Sequence, residues 1–213
     1  MLKISTQPRS APSIRQAGYS LIELGVALAI VATVILVALS GVQTLLTSNK
    51  VNQQVKNTSR LISKLSSLYA GGTTAGVTQL EVVRSGGWSN QFANANGNVT
   101  TAFGTQEFLV PNNNNQGAMS ANTGFMNVLR NVPAEACVDL VKSMSSLALG
   151  IAVFSDMPPP DTVNRRYETY IDMDGMAAIV KPVGGTYSSA NAAIRCTSNN
   201  TNSGYEVFLF LKP

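Results

Sequence analysis

Gly18-Tyr19-Ser20-Leu21-Ile22-Glu23-Leu24-Gly25-Val26-Ala27-Leu28-Ala29-Ile30-Val31-Ala32-Thr33-Val34-Ile35-Leu36-Val37-Ala38-Leu39 is the stretch on which the reading turns. No charged residue lies between Leu24 and Asn49. With its flanks to Leu46 the run is long enough to cross a bilayer once as a helix. The preceding residues 1–18 hold three basic side chains (Lys3, Arg9, Arg15), no acid and no apolar run. They read as a leader rather than as the hydrophobic part of a secretory signal. An ordinary signal peptide puts its small-residue cleavage site after the apolar run, whereas Ala17-Gly18 comes before it, so a cut there keeps the membrane helix. A lipoprotein signal needs a cysteine at the cut, and none is near.

Beyond the apolar run the helical period persists. Val51, Val55, Thr58, Ile62, Leu65 and Tyr69 form one narrow stripe in steps of four and three. Neither proline nor glycine falls between Val42 and Ala70. One helix from about Tyr19 to Tyr69 is expected, roughly 75 Å long at 1.5 Å per residue. Gly71-Gly72 ends it, and Ser40-Gly41 is its weakest point. The polar side carries Lys50, Lys56, Arg60 and Lys64 with no acid among them. They are suited to acidic patches on neighbouring subunits or to lipid headgroups, and equally to a solvated face.

Composition narrows the function classes. Charged residues make up 12% of the 213, against roughly a quarter in an average soluble protein. The formal charge of +4 sits largely in the leader and in Lys50–Lys64, leaving a near-neutral remainder that does not suit nucleic acid. Histidine is absent, which removes the commonest general base and metal ligand. With no GxSxG elbow and no phosphate-binding glycine loop, neither an enzyme nor a cofactor or metal is expected. Cys137 and Cys196 are too far apart for a CxxC motif and read as one disulfide, with two separate buried thiols as the competing reading. A bridge would close a loop of about 60 residues, worth about 4 kcal/mol by chain entropy, and implies an oxidising compartment.

Downstream, Thr78-Gln-Leu-Glu81 has capping-box spacing for a short helix closed by Gly86-Gly87. Asn94–Asn98 and Asn112–Asn115 are loop tracts flanking a strand over Phe103–Val110, and a second strand runs over Gly124–Arg130. Pro133 opens a helix through Ala134–Met144 that carries Cys137. Pro158–Pro160 is a break. Asp174-Gly175 marks a hairpin between Tyr167–Met173 and Met176–Val180, a better reading of Asp172-Met173-Asp174-Gly175 than a calcium loop, whose alternating oxygen ligands are missing. Tyr205–Leu211 is a buried strand. The sum is α+β: a long N-terminal helix on an antiparallel sheet.

The order Gly18-Tyr19-Ser20-Leu21-Ile22-Glu23 directly before an apolar helix resembles the prepilin peptidase recognition motif of type IV pilins. The resemblance implies cleavage between Gly18 and Tyr19 on the cytoplasmic side, Tyr19 as mature N-terminus and Glu23 as fifth mature residue. A carboxylate at the mouth of a membrane helix costs about 3 kcal/mol toward the bilayer centre unless it is partnered. The family's register device supplies the partner, the Tyr19 α-amine of an adjacent subunit. The competing reading is a solvated interfacial residue. A long leader, a mature N-terminus other than phenylalanine and the Cys137/Cys196 pair resemble the type IVb class, such as bundle-forming and conjugative thin-pilus pilins. It implies a disulfide-bounded variable region 137–196.

The expected partition is leader 1–18, membrane and filament-core helix 19–46, amphipathic half 47–70 and globular head 71–213. Positive charges flank the span on both sides, so the cleavage motif and the disulfide set the head in the periplasm. The implied partners are a prepilin peptidase, the pilus assembly machinery, the inner membrane before assembly and further copies of the chain in an extracellular filament. A minor pilin, a pseudopilin of type II secretion and a periplasmic binding domain on an anchor are the rivals.

Overall fold

The computed structural model describes residues 20–112, 120–155, 179–197 and 204–213. The chain divides into two units, Met1–Gln43 and Thr44–Pro213. Helix α1 (Leu21–Tyr69) starts in the first unit and ends in the second. Ser20 opens it, its Oγ accepting from the Glu23 amide at 3.2 Å, an N-cap that holds one of the free amides of the first turn. Gly71 closes it at φ 73, the left-handed conformation a helix C-terminus calls for.

In the second unit a sheet of six strands has the order β1-β2-β3-β6-β4-β5, with every neighbouring pair antiparallel. The strands are β1 (Val99–Thr100), β2 (Gln106–Pro111), β3 (Phe125–Val132), β4 (Gly150–Phe154), β5 (Ile179–Lys181) and β6 (Tyr205–Leu211). β6 lies between β3 and β4 and is buried along all of its length. Its alternation splits the sheet into two apolar faces. Val207, Leu209 and Leu211 join Val51, Leu61 and Leu65 of α1 in the main core, while Phe208 and Phe210 join Val110, Met126, Val128 and Ala152 in a second cluster. The main core also takes in Leu140 and Met144 of α3 (Ala134–Met144), and Ala192 of α4 (Ser189–Thr197).

The α+β reading agrees with this architecture, with a long apolar N-terminal helix and an antiparallel sheet. α2 (Gln79–Arg84) carries the expected capping box, Thr78 and Glu81 each accepting from the other's backbone amide. Three boundaries differ. The strand expected from Phe103 starts at Gln106, because Gly104 at φ 83 closes a tight turn in which its amide donates to the Thr101 carbonyl. The strand expected to end at Arg130 continues to Val132 through an irregularity where Asn131 has φ 48. Gly204 abuts that point, and a Cβ there would lie 2.8 Å from the Asn131 carbonyl carbon and the Val132 oxygen. The long helix starts at Leu21 rather than near Tyr19. β1, β4 and α4 were not anticipated. Pro158–Pro160, the Asp174-Gly175 hairpin with its rival calcium loop, and Asn113–Asn115 lie outside the described residues; Ile179 and Val180 of the second hairpin arm belong to β5.

Candidate functional site

The chemistry-bearing features fall into three places. The first is the start of α1. Every residue from Ser20 to Leu46 is exposed, including Leu28, Ile30, Val34, Leu36 and Leu45. The window has a mean hydropathy of 2.7, and by length and composition this helix can cross a membrane. Bare apolar surface on that scale marks an interaction with lipid or protein. Glu23 stands in the first turn, where a carboxylate complements the positive end of the helix dipole. Ser20, read above only as part of a recognition sequence, is thus also the residue that starts the helix. Gly18 and Tyr19 lie outside the described residues.

The second place is the disulfide. Cys137 on α3 and Cys196 on α4 are joined, with Cα atoms 5.7 Å apart. Both cysteines are buried in the main core, so the bridge ties the two helices into it.

The third is a buried polar cluster that sequence reasoning missed. Glu107 on β2 is 1% exposed. Its Oε1 accepts from Trp88 Nε1 at 2.9 Å and Asn127 Nδ2 at 2.9 Å, and its Oε2 accepts from Gln54 Nε2 at 3.0 Å. Gln54 Oε1 accepts in turn from the Ala102 amide at 2.8 Å. One carboxyl therefore links α1, the loop after α2, and strands β2 and β3. Burial pushes the Glu107 carboxyl above the ordinary carboxylate range, against the three donors, which pull it down. The available signal was the strand period: Glu107 shares a face with Leu109, which points into the main core. A second buried carboxylate, Glu206 on β6, is paired with Arg130 Nε at 2.8 Å. Burial raises its carboxyl too, and the arginine opposes the shift.

Among the described residues no group of three or more His, Cys, Asp or Glu is placed to hold a metal. Cys137 and Cys196 are the predicted site residues that the structure brings together.

No family model and no curated protein matches this sequence. Solved structures do. A type IV pilin, TcpA, from Vibrio cholerae El Tor biotype is 16% identical, covers 76% of this chain and 98% of its own, and superposes with a TM-score of 0.52. The fold is type-IV-pilin-like. A type IV b pilin from Salmonella typhi is 18% identical over 76% of this chain and 98% of its own, with a TM-score of 0.47. At 16% identity the likeness to TcpA concerns architecture, a long apolar helix with an antiparallel sheet.

Proposed function

We propose that the chain is a prepilin whose processed form is the shaft subunit, or major pilin, of a type IVb pilus. The observation that carries this reading is the juxtaposition at the start of α1. The hexapeptide Gly18-Tyr19-Ser20-Leu21-Ile22-Glu23 runs into the first turn of a helix whose apolar side chains are exposed to Leu46. The type-IV-pilin-like fold supports it.

In this reading the chain enters the inner membrane as a single span with its head in the periplasm. A prepilin peptidase removes residues 1–18, and an assembly machine lifts the subunit into an extracellular filament. Lipid around the helix is exchanged for neighbouring helices, a step with little net hydrophobic gain because lipid tails are as apolar as leucine. Register therefore rests on shape fit and on Glu23 meeting the Tyr19 amine of another copy. A desolvated carboxylate beside an amine is favourable where each satisfies the other and costly where one is missing.

The test is intact-mass analysis of sheared surface filaments from cells carrying the wild-type chain or Glu23→Ala. The expected result is a mass for residues 19–213 less two hydrogens, with filament yield falling at least tenfold in the variant. Cleaved protein found as membrane monomer, in cells that build filaments from another subunit, would indicate a minor pilin, a pseudopilin or an anchored binding domain instead.

A further inference from the structure

Beside the core-facing side of α1 lies an open groove of about 210 Å³. Lys56 and Arg60, one helical turn apart, line one wall with Asn57 between them in sequence, and Ser89, Gln91 and Phe92 from the loop after α2 line the other. Among the described residues no carboxylate lines it. Arg60 is steadied by its Nε, which donates to the Gly86 carbonyl at 3.3 Å, leaving the other guanidinium nitrogens available. The ion pair found among the described residues joins Arg130 to Glu206, so no described neighbour neutralises either groove cation. Asn57 is only 5% exposed, and its Nδ2 has no acceptor among the described residues. A buried donor without an acceptor is costly. Asn57 is itself a lining residue of the groove, and χ2, a broad torsion, leaves its amide free to turn toward an oxygen bound there.

We propose that this groove binds a phosphate or sulfate ester carried on a sugar-sized polar molecule. With three non-bridging oxygens, against the two of a carboxylate, a phosphate or sulfate ester can meet a guanidinium fork, an ammonium and a spare amide donor at once. Phe92 offers an apolar ring against which the carrier's carbon face can lie, and Ser89 and Gln91 supply hydroxyl- and amide-type partners. The volume suits a fragment rather than a drug-sized ligand. A lipid headgroup fits less well. Lys56 lies ten residues beyond Leu46, about 15 Å along the helix, whereas the headgroup layer is only about 5 to 8 Å deep on each side of the hydrocarbon. Whether the ester is on a free molecule or on a surface polysaccharide, the recognising chemistry is the same.

The experiment uses the full chain in a polyoxyethylene detergent, with binding read from phosphorus NMR line broadening. Glucose 6-phosphate is the main probe, and inorganic phosphate and glucose (as a competitor) are the comparisons. Saturable binding of glucose 6-phosphate is expected, tighter than that of inorganic phosphate and weakened at least tenfold in Lys56→Gln/Arg60→Gln. Both residues are exposed, so the thermal midpoint should fall by no more than the lost Arg60–Gly86 hydrogen bond accounts for, about 1 to 6 °C. The control pair Lys50→Gln/Lys64→Gln, on the same helix outside the groove, should leave binding unchanged. Phe92→Leu should weaken glucose 6-phosphate several-fold and spare inorganic phosphate. A sulfated or phosphorylated polysaccharide that competes for the site identifies a surface-borne ester, and failure to compete identifies a free one. No saturable binding overturns the proposal, as does an equal loss in the control pair. Lys56- and Arg60-dependent binding seen only with phosphatidylglycerol vesicles overturns it in favour of lipid.

Discussion

Two stretches of α1 reverse the usual relation between residue type and burial. Residues 20–46 are almost wholly apolar and all exposed, whereas between Val51 and Leu65 the buried positions include Gln54, Asn57 and Thr58 beside Val51, Leu61 and Leu65. The upper stretch has hydrophobicity that no described residue covers, which is the property of a segment built for lipid or for other helices. The lower stretch is set into a core that receives one of these polar groups, the Glu107 carboxyl accepting from the Gln54 amide, while Asn57 Nδ2 and Thr58 Oγ1 find no partner among the described residues. Apolar content therefore says little about where this helix is held in its own fold; the packing around Val51, Leu61 and Leu65 decides it and carries the neighbouring polar groups inside.

If the second unit is held by its own contacts, cutting those contacts should leave membrane attachment intact. The largest effect is expected at the disulfide. Cys137→Ser/Cys196→Ser removes a cross-link over 59 residues, worth about 4 kcal/mol by chain entropy. That corresponds to a thermal midpoint lower by about 8 to 16 °C for a domain of this size. Carbonate extraction should still leave the variant in the membrane fraction.

Leu61→Ala against Leu28→Ala sharpens the contrast with one substitution type at two places on the helix. Leu61 is fully buried and Leu28 is 62% exposed. The first should cost about 3 to 4 kcal/mol of unfolding free energy by transfer and cavity terms. The second should leave the unfolding midpoint where it is, read by circular dichroism on the full chain in nonionic detergent. Equal losses would mean that the upper stretch is packed within the monomer.

The converse change is Val34→Arg, in the middle of the apolar run. An arginine there costs about 3 kcal/mol at the bilayer centre. The carbonate-resistant fraction should fall, while the thermal midpoint of the protein that is recovered stays within about 1 °C, as expected for a surface change.

The upper stretch was legible because a membrane helix is announced by composition alone, and a bilayer imposes length and polarity without any need to know the fold. The capping box at Thr78 and Glu81 was legible because its partners are three residues apart. The Glu107 cluster was not, because Gln54, Trp88 and Asn127 reach it from 53, 19 and 20 residues away. Taken singly, a glutamine, an asparagine and a glutamate read as surface. β4 hid in Leu147–Phe154, a short apolar run whose periodicity suits helix and strand alike. The stripe predicted on α1 named Val51, Thr58 and Leu65, which are buried, and Val55, Ile62 and Tyr69, which pack against the core, but omitted Leu61, because a stepped pattern of fours and threes traces one line along a face that is wider than a line.

The smallest of these effects is also the most diagnostic of how the lower stretch is held. Glu107 has its carboxyl raised by burial, so across a window opening at the ordinary glutamate value the folded chain keeps a proton that the unfolded chain has released. Stability supplied by this group is complete below the unfolded pKa and is lost as pH rises toward the folded one, since stability falls with pH wherever the native state binds more protons. One group contributes a slope of at most about 1.4 kcal/mol per pH unit. Glu206, raised in the same direction, adds a slope of the same sign, so the wild type alone does not separate the two. Glu107→Gln does. Urea unfolding of wild type and variant from pH 4 to pH 8 should give a difference that shrinks or reverses as pH rises, because glutamine keeps an acceptor in the cluster and has no proton to lose. A difference constant with pH would mean that Glu107 titrates alike in folded and unfolded chains. The three donors would then offset burial in full, and the cluster would hold the helix equally at every pH.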